Sequence, residues 1–118
     1  MNWIIVPDWQ RFQHYGLARQ PTWIKNSIGL LHKDEYLDLP MAARGLLHGI
    51  WLAYADRDGL LKRSELPEIL GQPVEDSDLA ALLATDWIEF HAEQPFLTIA
   101  DMSAGVRAEA IMRQERER

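Results

Sequence analysis

The stretch that decides the fold is SELPEILGQPVEDSDLAALLATDWIEFHAEQPFLTI, running from Ser64 to Ile99. Ser64 and Glu65 open a helix, and Pro67 falls in its first turn, where a missing N–H leaves nothing unpaired. Leu66, Ile69 and Leu70 form its apolar stripe, and Gly71 ends it as a C-cap. Gln72-Pro73-Val74 is a turn. Asp76 caps the next helix, which runs to about Thr85 with Leu79, Leu82 and Leu83 inward. Trp87 to His91 then partly alternates, as a strand does. Ala92-Glu93-Gln94-Pro95 turns, and Phe96 to Ile99 returns as the second limb of a hairpin.

Upstream lies the strongest helix of the chain. Pro40 suits its start, and Met41 to Ala55 is apolar nearly all round, with Leu46, Leu47, Ile50, Trp51 and Tyr54 on a wide face. Ala42, Ala43, Gly45 and Gly49 permit close packing on the rest. Asp56-Arg57-Asp58-Gly59 stops it, and Leu60-Leu61 adds a short strand. Before it, Thr22 caps a helix through about His32, with Trp23, Ile24, Ile28 and Leu31 as an inward stripe. Tyr36, Leu37 and Leu39 form a tight connection that packs inward. Trp3 to Val6 is a strand or extended arm ended by Pro7-Asp8. The order predicts a mainly α fold with a small β-hairpin wing, a winged helix-turn-helix. Residues 1–21 are its N-terminal strand and arm, 22–100 the winged-helix domain, and 101–118 a charged C-terminal helix capped by Asp101 or Ser103.

At 118 residues the chain fits one domain, and an apolar share of 47% is enough for a core. The absence of Cys excludes a disulfide framework, a thiolate zinc site and a Cys nucleophile. The longest apolar stretch, about Gly45 to Ala55, is interrupted by His48 and falls short of the ~20 residues of a bilayer span. With no basic n-region before Trp3, the expected compartment is the cytoplasm.

An ordered set of short motifs carries a family resemblance. They are Phe12-Gln13-His14-Tyr15, Pro21-Thr22-Trp23-Ile24-Lys25, Leu30-Leu31-His32, Tyr36-Leu37, Ala42-Ala43-Arg44-Gly45-Leu46-Leu47, Ile50-Trp51, Leu70-Gly71 and Asp78-Leu79 through Ile88-Glu89. Across residues 9 to 91 the chain resembles the winged-helix domain near the N-terminus of phage and prophage replication proteins (replisome organisers) and related actinobacterial phage proteins. That resemblance implies DNA binding in phage replication or regulation.

Charge divides the chain. The formal net charge is −6; residues 1–63 balance to +2, residues 64–100 hold eight acids and no Lys or Arg, and residues 101–118 hold four of each sign. The second helix of a winged pair normally enters the major groove. Here it opens Glu75-Asp76-Ser77-Asp78 and has no cation, so its carboxylates face a polyanion with the wrong sign. Two functional readings follow. In the first, DNA is held by a basic-aromatic arm, through Arg11, Arg19, Lys25 and Lys33, with Lys62 and Arg63 before the helix pair. Its neighbouring Trp9, Phe12, Tyr15 and Trp23 are rings on which bases stack. In the second, the fold binds protein and not DNA, and Glu75, Asp76, Asp78, Glu89 and Glu93 hold a phage or host protein, or a second copy of the chain.

No catalytic constellation stands out. There is no Ser-His-Asp arrangement, Gly-rich phosphate loop or HExxH motif. His14, His32, His48 and His91 form no i,i+4 pair, so no metal or cofactor is expected; His48 reads as a packed, hydrogen-bonded group. Asp56, Asp58 and Glu65 match part of a calcium loop, but Tyr54 stands at its first ligand position and Lys62 among the ligands, so these acids read as turn residues. Arg44 is placed to clamp Asp38 or Glu35, or to hold phosphate.

Overall fold

A computed structural model describes residues 2–9, 24–95 and 98–99. They form a mostly helical body with a three-stranded antiparallel sheet. Strand β1, Trp3–Ile5, is β-branched and aromatic, and it ends at Pro7 and at Asp8, whose φ of 58° turns the chain away. Strand β2 is Leu61–Lys62 and β3 is Glu89–His91. The sheet order is β2-β1-β3, with Trp3 opposite both Lys62 and His91, and Ile4 opposite both Leu61 and Phe90. The first strand of the chain is therefore the central one. The expected return limb is not described at Phe96 and Leu97; Thr98 and Ile99 are not strand, and the Ile99 amide donates to the Asp58 carbonyl at 3.0 Å.

The described α-helices are α1 (Asp34–Leu37), α2 (Met41–Asp56), α3 (Leu66–Leu70) and α4 (Asp76–Leu83). Helix α2 is the axis of the core. Its Ala43, Leu47, Ile50, Ala53 and Tyr54 are buried against Leu66 of α3, Leu79 and Leu82 of α4, and Ile4 and Leu61 of the sheet. Gly49 lets α3 approach: a Cβ there would sit 3.2 Å from a Leu70 methyl, whereas Gly45 faces open space. Gly71 caps α3 in the left-handed region, at φ 73°.

Several boundaries differ from the sequence reading, each for a local reason. The expected helix from Thr22 is, over its described part, extended at 24–27 and then a 3-10 turn, Ile28–His32. Ser27 takes the cap, accepting from the Gly29 amide at 3.1 Å. At three residues per turn Ile28 and Leu31 share one face. That face is outward, with the two residues 80% and 58% exposed, and only Leu30 points to the core. Leu37 and Leu83, expected inward, are also exposed. The helix expected from Ser64 begins with a 3-10 turn, Arg63–Glu65, because the Glu65 carboxylate accepts from the Lys62 amide at 3.0 Å. Asp76 is the first residue of α4 and not its cap, which is Glu75. Arg44 does not bind Asp38 or Glu35. It donates to the Leu39 and Leu37 carbonyls at 3.0 and 2.6 Å and closes the α1–α2 connection.

Candidate interaction surface

The two expected binding surfaces meet at Arg63. The pairing of β2 with β1 brings the N-terminal residues beside the start of α3. The Arg63 amide donates to the Asn2 carbonyl at 2.7 Å, the Ser64 amide donates to the Asn2 side-chain oxygen at 3.2 Å, and Asn2 Nδ2 donates to Ser64 Oγ at 3.3 Å. With its backbone so fixed, the Arg63 side chain crosses to α4. Its guanidinium lies 2.8 Å from Asp76 Oδ1 and 5.5 Å from the Phe90 ring centre on β3. One cation thus ties the helix pair to the sheet. An open depression of about 300 Å³ adjoins it, lined by Asn2, Arg63, Pro67, Val74, Asp76 and Leu79.

Of the cations expected to grip DNA, Arg11 and Arg19 lie outside the described residues, as do Phe12, Tyr15 and Trp23. Lys25 and Lys33 are exposed. Lys62 stands over the Trp3 ring at 5.0 Å, a cation–π contact across the β1–β2 pair. Arg63 is committed as described. Trp9 is buried and packs edge-on to Tyr54 at 5.1 Å, so it supports the core and offers no face to a base.

The acids divide differently. Glu75 and Glu93 are exposed, and Asp78 sits half-buried in the first turn of α4, where its charge complements the helix dipole. Asp76 is 89% exposed although paired. Glu89 holds His91 at 2.9 Å along the same strand. Glu65, a candidate calcium ligand, instead pairs with Arg57 at 3.3 Å, and among the described residues no group of three or more His, Asp or Glu is placed to hold a metal. Nor is any described helix long and apolar enough to cross a membrane.

Sequence reasoning did not find Asn2, Trp3 or Phe90 as parts of this surface. Each acts across a non-local strand pairing, and only the short β-branched run at the N-terminus hinted at one.

Comparison of the chain with protein-family models, with curated proteins and with solved structures found no match.

Proposed function

We propose that this chain is a protein-interaction module on a winged-helix frame, whose acidic α4 and β3 dock a basic partner. The observation that carries the reading is the Arg63–Asp76 pair: the cation best placed to touch a phosphate is spent on a carboxylate of the helix that would read the groove. The other acids of α4, β3 and the turn after it are Glu75, Asp78, Glu89 and Glu93, on a stretch of sequence with no Lys or Arg. Such a surface repels DNA and steers a cationic protein toward itself. The family resemblance would make that partner a phage or host protein.

A second reading keeps DNA binding and moves it to the arm. It is favoured by the exposure of Lys25 and Lys33 on a stretch, residues 9–33, that has no acid.

Both are tested by titrating the chain with an oligo-arginine peptide, a short duplex and single-stranded DNA across a salt series. The interaction reading expects peptide binding that weakens with salt and is lost in Asp76→Lys with Asp78→Lys, but kept in Asp34→Lys with Glu35→Lys, which makes the same charge change elsewhere. Peptide binding equal in both variants removes the site. Duplex binding with a steep salt slope, reduced in Lys25→Ala and Lys33→Ala, replaces this reading with the second.

A further inference from the structure

Helix α1 buries one side chain, Tyr36, which with Leu30, Leu39 and the Arg44 bonds to the Leu37 and Leu39 carbonyls holds the segment before α2 to the body of the fold. The Tyr36 hydroxyl lies 3.0 Å from His48 Nε2 on α2. The Tyr36 ring meets His48 edge-on at 5.9 Å and Trp87 at 6.2 Å, and the Arg44 guanidinium stands 5.0 Å from its centre. His48 is in turn edge-on to Trp51 at 5.1 Å. Its second nitrogen, Nδ1, is buried and has no hydrogen-bond partner among the described residues.

That arrangement suits a neutral imidazole with its proton on Nε2 and does not suit an imidazolium. If Nε2–H donates to the Tyr36 oxygen, Nδ1 is bare, and a proton added there is buried without an acceptor. If instead the hydroxyl donates to Nε2, the Nδ1–H is already buried without an acceptor, and a second proton, on Nε2, also turns the hydroxyl away. Either way the new charge shares the Tyr36 ring with the Arg44 guanidinium. The other charged or titratable groups around this contact are His32, Lys33, Asp34, Glu35 and Asp38 at and before α1 and Asp86 beside Trp87, and all six are exposed. Burial alone moves the His48 pKa, and it moves it down from the ordinary 6.5.

We propose that His48 is a proton-operated latch: protonation of its imidazole releases Tyr36 and loosens α1 from the central helix. The closed form holds His48 neutral, while in the opened form the imidazole titrates as it does in water. The latch is therefore fully shut above pH 6.5 and loosens as the pH falls below it. The device is local, because the side-chain contacts of His48 run to Tyr36 of α1 and to Trp51 of its own helix. It does not depend on what the acidic face binds.

The test uses the full chain. The His48 ring is titrated by NMR, and amide hydrogen exchange is followed at Leu37, Asp38 and Leu39, whose N–H groups bond Lys33, Asp34 and Tyr36 carbonyls. Rates are corrected for the intrinsic effect of pH. The expected result is a His48 midpoint below 6.5, with protection of those three amides falling severalfold as pH drops from 7 to 5 while α4 amides keep theirs. In His48→Gln, which can still bond the Tyr36 hydroxyl, protection stays flat over that range. A midpoint at or above 6.5 overturns the proposal. So does loss of protection in step with α4, or the same loss in His48→Gln. If His48→Gln does not fold, the wild-type midpoint and the comparison with α4 still decide.

Discussion

Tyr54 shows at single-residue scale how tightly this core is closed. Its ring is 2% exposed and packs on Trp9, and Asp58 lies nearby in a left-handed turn. Burial raises the phenol pKa above 10, Asp58 adds to this, and a hydrogen bond from the Val6 backbone works against both. The unfolded chain therefore ionises first as pH rises. Stability is intact below pH 10 and is lost as pH climbs from there toward the folded pKa. Urea unfolding midpoints should hold steady up to about pH 9.5 and then drop, and Tyr54→Phe should soften the drop. At Leu47, fully buried on α2, truncation to Ala should cost about 2–5 kcal/mol by the same measurement. At Arg63 the outlook is different. The guanidinium is 42% exposed and Asp76 more so, and a double-mutant cycle to Ala should return a coupling under about 1 kcal/mol. Arg63 shapes the charge of the surface more than it stabilises the fold. His48 was legible in the sequence as a packed group, because a lone His in an apolar helix needs a hydrogen-bonding partner. Tyr36 as that partner was not, since nothing in the spacing says that α1 folds back over α2.

Elements were legible where one local signal dominates. Helix α2 is long and apolar on a wide face, and it ends within a residue of its expected boundary. Gly71 is the clearest local rule: only a left-handed residue closes α3 there, and no atom lies within 4 Å of where a Cβ would sit. Gly71→Ala should thus cost about 1 kcal/mol from backbone strain alone, measured by chemical denaturation, with no change in spectra or in peptide binding. Where two signals compete, the reading failed. Ile28 and Leu31 sit at a spacing that also fits an α-helix with an inward stripe. Ser27 and Gly29 shorten the element to a 3-10 turn, and the stripe rotates outward. Asp76 looked like a cap because Asp commonly is one; its carboxylate is drawn instead to Arg63, a residue whose position depends on the sheet.

For the whole molecule, the expectation of a mainly helical fold with a small β element holds, while the three-stranded sheet and its strand order could not be read. Pattern reasoning assigns strands by their own composition and pairs them with near neighbours, so residues 87–99 were expected to pair among themselves. The observed partner of β3 is β1. Ile4, at the centre of that sheet, is fully buried.

That central strand has a consequence for how the chain acquires its shape. Residues 3–5 leave the ribosome well before either of their partners, residues 61–62 and 89–91. Helix α2 forms from contacts local in sequence, but the sheet must close two long loops around it. Strand β1 must therefore wait with both edges unpaired until residues 61–62 and then 89–91 are made, and the sheet closes only when the later of these two arrives.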